Sequence, residues 1–269
     1  IEKLGNVRAL GFSLGATDKG LRIRGTSLLE GDASDLPAAY VPELLSRVPA
    51  SSWFAASFGD LGKPARSAAD QALSSNPDAQ KQVQQVEALL GIKLDDVYAL
   101  ISGEHALYAG PGAPVSAGLI LHPPDPERGA TTLRALTRLL TQQGVKFEDT
   151  ADGQSAAIQG FAARWRTVDD VIGIGTDTTV GDTAKDSIVD SAEFKNVLAE
   201  DGVASDAKTL GLAYVDVPSL VSLANAFGNF ADDPSNKEAF ENLKHIGGVL
   251  FWSGVDGSTV TSDLFVEST

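Results

Sequence analysis

The stretch VRALGFSLGATDKGLRIRGTSLL, residues 7–29, sets a polar turn between two apolar runs. Residues 7–14 are mostly apolar, 21–29 open with alternation, and ATDKG with Gly20 separates them. This pattern predicts a β-hairpin. The same stretch contains GFSLG, Gly11 to Gly15, which matches the G-x-S-x-G nucleophile elbow. In an elbow the serine sits on a sharp strand-to-helix turn that exposes its oxygen and aims backbone N–H groups at an oxyanion. Here Gly15 leads into another strand, so Ser13 is expected on a strand and no catalytic residue is assigned.

The C-terminal stretch carries a similar hairpin. At a constant offset of 239, Leu4 matches Leu243, Val7 matches Ile246, Leu10 matches Val249, Phe12 matches Phe251, Gly15 matches Gly254 and Leu21 matches Val260. The residue matching Ser13 is Trp252, so the serine is not repeated. At an offset of 157, Ala50, Trp53, Ala56 and Ala69 match Ala207, Leu210, Ala213 and Ala226, each set reading as a strand followed by a helix. Internal duplication of strand–helix and hairpin units is therefore expected. The first hairpin has no strand–helix unit ahead of it, so one is expected before Ile1.

Between the hairpins, Asp35 and Pro37 predict a short helix to about Arg47, interrupted near Pro42. SSWFAASF (51–58) reads as a strand and 64–74 as a helix. Asn76-Pro77 opens another helix that Gly91 stops after Leu90. Residues 94–101 suggest a helical turn, and strands follow at HALYAG and at 115–122. The best-marked helix has Asp125 as N-cap, Pro126 at its first position and Leu133, Leu136, Leu139 and Leu140 at helical spacing before Gly144. Short strands are expected near 145–148, 155–160, 161–168 and 170–175, and helices at 178–186 and 191–199. A strand at 209–215, a helix at 218–228, another begun by Asp233-Pro234 and the hairpin at 246–266 complete the order. This predicts an α+β fold, antiparallel sheets with helices packed on one face. Its organisation is one domain, residues 1–269, or two intimately packed halves, about 1–144 and 145–269.

Composition narrows the function. A net charge of −15 and no clustered Lys/Arg stripe argue against nucleic acid and against an anionic membrane surface. No cysteine is present, which excludes disulfides, thiol catalysis and zinc–thiolate sites. There is no methionine either, even at position 1, so an N-terminal piece is expected to have been removed. No apolar run reaches the ~18–20 residues of a membrane span.

Other motifs read structurally. VIGIGTDTT (171–179) has G-x-G, but Thr178 stands where a dinucleotide fingerprint needs glycine, so Gly173 and Gly175 are expected to serve close packing. His105, His122 and His245 show no metal-ligand spacing, and the acidic Asp149, Asp152, Gly153 group reads as a turn. No cofactor or metal ligand is assigned. Trp53, Trp165 and Trp252 are expected in the core, with the lining of an apolar ligand cavity as the alternative.

The segments SGEHALYAGPG (102–112), DPERGATTLRALTRLL, VDDVIGIGTD (168–177), SAEFKNVL (191–198), LGLAYVDVPSL (210–220) and GGVLFWSGVDGSTVTSDLFVE (247–267) resemble the bacterial domain-of-unknown-function family 3352. The resemblance implies an extracytoplasmic globular part, anchored to the cell envelope through an N-terminal segment, and carries over no catalytic residues. The function expected is non-catalytic, binding or structural, with a lipid or other apolar ligand held between helices and sheet. The alternatives are a serine esterase-like hydrolase using Ser13 and a pure protein-interaction module.

Overall fold

The computed structural model describes residues 7–30, 38–112, 115–158, 161–204, 206–228 and 236–269. Seven α-helices and twelve strands form over these residues. The fold is α+β with antiparallel pairing, as the hairpin pattern predicts. Two compact units divide the chain: residues 1–58, 108–111 and 183–269 in the first, 59–107 and 112–182 in the second. Residue 144, near which the sequence suggests a division, lies within the second unit.

In the first unit, β1 (Val7–Thr17) and β2 (Gly20–Leu29) form the predicted hairpin around Asp18-Lys19. The C-terminal hairpin is β11 (Ile246–Asp256) with β12 (Thr259–Ser268). β2 pairs with β12, so the two hairpins lie side by side. β10 (Gly211–Asp216) pairs with β11, and β3 (Phe54–Phe58) with β10.

Strand alternation sorts this sheet into two faces. On one, Leu212, Tyr214, Leu250 and Phe265 are buried. α5 (Ala192–Asp201) packs there: Phe194 meets the Tyr214 ring edge-on at 5.2 Å, and a Cβ on Gly248 would strike Val197. The other face runs in register through Leu14, Ile23, Leu264, Phe251, Ala213 and Ala56, all apolar and none fully buried. The expected helix reaching Arg47 is a 3-10 helix, Glu43–Arg47, preceded by residues outside the described set. Bridges Tyr40–Thr209 and Pro49–Ser187 tie this region down.

β4 (Glu104–Pro111) starts in the second unit, its residues 108–111 being counted with the first; within the second unit the strand order runs β5 (Val115–His122), β9 (Val171–Gly175), β8 (Phe161–Val168), β7 (Gly153–Ile158) and β6 (Phe147–Asp149). α1 (Gly62–Ser74), α2 (Pro77–Leu90), α3 (Leu94–Leu100) and α4 (Pro126–Gln142) supply its helices. Leu100, Leu121, Ala130, Trp165 and Ile172 form one core, with Leu133 and Leu136 of α4 packed on it. Gly129 permits this contact, since a Cβ there would lie 2.7 Å from Ile172.

The three predicted caps form. Asn76 accepts from the Ala79 N–H at 3.1 Å, Asp125 accepts from Arg128 N–H at 2.9 Å, and Gly91 ends α2 at φ 70°. Asn76→Ala should cost about 1 kcal/mol in urea denaturation by removing that acceptor.

The helix expected at 178–186 does not form; turns and bends occupy these positions, followed by a 3-10 turn at Ile188–Asp190. Asp177 accepts from both the amide and the hydroxyl of Thr179 at 2.9 Å, a local arrangement that competes with helix. Gly181 then takes φ 90°, which an α-helix does not admit. The helices at 218–228 and after Asp233-Pro234 appear as α6 (Val217–Gly228) and α7 (Lys237–Leu243); Asp233 and Pro234 lie outside the described residues.

Candidate functional site

The second unit carries an apolar groove of about 440 Å³. One wall is α2, whose Val83, Val86 and Leu90 recur at helical spacing; the other is α4, through Leu136 and Leu139. Ile92, Leu94 and Val97 form the floor after Gly91 turns the chain back. Leu90, Ile92 and Ala135 are buried beneath it, whereas Val86 and Leu89 on the α2 ridge are exposed. The groove is open to solvent along one side rather than an enclosed chamber.

Its polar end is internally satisfied. Glu87 accepts from the Leu94 N–H at 2.8 Å and from Lys93 Nζ at 3.1 Å. The Leu94 bond first, then Lys93, hold the Glu87 carboxyl below its ordinary range. Asp96 accepts from the Lys93 N–H at 2.6 Å and pairs with Arg128, and these bonds likewise lower it. Glu87 therefore adds no unpaired charge to the wall, and what the groove presents is hydrocarbon.

The residues singled out in the sequence are not gathered there. Ser13 sits in the interior of β1 opposite Arg24, with another strand beyond the turn. His105 is buried on β4, its ring Nε2 2.8 Å from the Ile101 carbonyl, and burial lowers its pKa. His122 pairs with Asp170 at 3.1 Å, and His245 is exposed. No group of three metal-ligating side chains occurs among the described residues. Asp152 accepts from Arg166 at 2.7 Å and Thr150, a salt-bridged turn, while Asp149 accepts from Gln154.

Gly173 and Gly175 act in packing: a Cβ would lie 2.4 Å from the Val180 carbonyl and 2.3 Å from that of Ala117. Trp165 belongs to the core and donates to Gln154 at 3.2 Å; Trp53 and Trp252 are half-buried in the first unit. None of the three tryptophans lines the groove. Sequence reading missed the groove because α2 and α4 each show an ordinary amphipathic stripe. The signal was there only in excess: Val86 and Leu89 extend the α2 stripe beyond what the core covers.

Fold and surface together define an α+β protein of antiparallel sheets with an apolar groove between helices. The chain belongs to the family described as Protein of unknown function (DUF3352), whose model matches residues 1–265. No curated protein matches the chain, and no solved structure does.

Proposed function

We propose that this chain is a non-catalytic extracytoplasmic binding domain, anchored to the cell envelope, that holds the alkyl chain of a lipid or similar apolar ligand in the α2–α4 groove. The observation that carries the reading is the hydrocarbon lining: Val83 and exposed Val86 facing Leu136, Leu139 and Val97, in a volume within the ~300–1,000 Å³ of small-molecule sites. An unsatisfied apolar trench gains by displacing water with alkyl chain at about 25 cal/mol per Å². The envelope placement rests on the family resemblance, with the absence of cysteine and the acidic charge consistent with it.

Titration with the fluorescent fatty acid cis-parinaric acid tests the groove. Saturable binding near one per chain is expected, weakened at least about tenfold by Val86→Asp, which sets a carboxylate against the alkyl chain. Val86 is exposed, so folding should survive the change. Binding indifferent to Val86→Asp would remove the groove as the site. The non-catalytic part is tested with short-chain esters: turnover abolished by Ser13→Ala would overturn it.

A further inference from the structure

We infer that β1 is the interface of a symmetric homodimer, in which two copies pair their β1 strands antiparallel about Phe12 and continue one sheet across the two-fold axis. Among the described residues β1 has β2 as its sole neighbour in the first unit, as β6 has β7 in the second. The two edges differ in kind. β6 is three residues long and carries Glu148 and Asp149, the short charged edge that resists further pairing. β1 is eleven residues long and has no charge from Ala9 to Thr17. An edge of that length and composition is one that proteins cover.

The backbone groups that would pair can be assigned. Leu29 donates to the Ser258 carbonyl and Ser268 to the Lys19 carbonyl, so the odd residues of β2 bond to β12. Its even residues therefore face β1, where they pair with Thr17, Gly15, Ser13 and Gly11. Leu10, Phe12, Leu14 and Ala16 consequently turn their N–H and C=O groups to the open edge. Leu10, Phe12 and Leu14 are 71%, 78% and 66% exposed.

The occupant follows from the sequence of the edge itself. About Phe12 the strand reads nearly the same in both directions: Leu10 mirrors Leu14, Gly11 mirrors Ser13, and Ala9 mirrors Gly15. A two-fold axis at Phe12 then sets Leu10 opposite Leu14 of the second copy and Phe12 opposite its own equivalent, each pair exchanging two hydrogen bonds. The large side chains meet on one face and small residues on the other, so nothing clashes. Pairing of two such edges satisfies the outward backbone groups of Leu10, Phe12, Leu14 and Ala16 and covers the facing flanks of the three large side chains.

Light scattering of the 269-residue chain at tens of micromolar and physiological ionic strength, where repulsion between two chains of net −15 is screened, should give twice 28.0 kDa. Phe12→Arg should restore the single-chain mass with unchanged circular dichroism. Phe12→Cys, the sole cysteine of that variant, should cross-link on oxidation, whereas a cysteine at exposed Lys81 should not. A wild-type monomer, or a dimer that survives Phe12→Arg, overturns the inference. So does hydrogen-exchange protection of the Leu10, Phe12 and Leu14 amides at monomer mass, which would place another segment on the edge.

Discussion

Phe265→Ala should cost about 3–5 kcal/mol in urea denaturation, close to the whole stability of a marginal domain. Phe265 is fully buried on β12, directly opposite fully buried Leu250, and Arg22 lies over its ring with the guanidinium carbon 5.7 Å from the centroid. Gly20 comes close enough that a Cβ there would sit 3.1 Å from the ring. Truncation removes the transfer free energy of the ring and leaves a void that paired strands on both sides prevent from closing. Phe161→Ala, at a residue 48% exposed, should change stability by about 0.5 kcal/mol or less. Similar losses at the two positions would show that the Phe265 side is not the core of its unit.

Most elements were legible because their signals are local. Asn76-Pro77 and Gly91 fix both ends of α2, and the Asp125-Pro126 pair fixes the start of α4. The β1–β2 hairpin is written in its turn residues and its alternation. The misses share a cause: tertiary contacts outvote local pattern. Residues 178–186 have helix-compatible stretches, yet Gly181 is pressed against Gly173 and Asp177 captures Thr179. Sheet order is equally non-local, since nothing in the chain between residues 30 and 258 announces that β2 will pair with β12. The groove between α2 and α4 is non-local too, since it arises only where two half-covered stripes meet.

Arg24→Ala should destabilise the chain by about 2–3 kcal/mol, more than Asp263→Ala, although both remove the same ion pair. Arg24 donates from Nε and Nη2 to the two carboxylate oxygens of Asp263, each at 2.7 Å. The bond to Asp263 raises the guanidinium pKa, so the cation persists throughout the accessible pH range. The partners differ in solvent access: the Arg24 side chain is 44% exposed, that of Asp263 only 2%. Losing Asp263 leaves a cation that water can hydrate, at a cost of about 1 kcal/mol. Losing Arg24 strands a buried carboxylate near Asp201, whose own pKa burial already pushes up against the pull of Arg22. Asp263 would then have to be buried as an unpaired charge or take up a proton. A double-mutant cycle in urea separates the two costs, and Arg24→Leu/Asp263→Leu should recover much of the Arg24→Ala loss because no charge remains to desolvate. Equal losses for the two single alanine variants would refute the burial asymmetry. Because Arg24 stands on β2 and Asp263 on β12, the loss should also appear as faster amide exchange along the β1–β2 hairpin, the part of the sheet joined to the rest through this pairing.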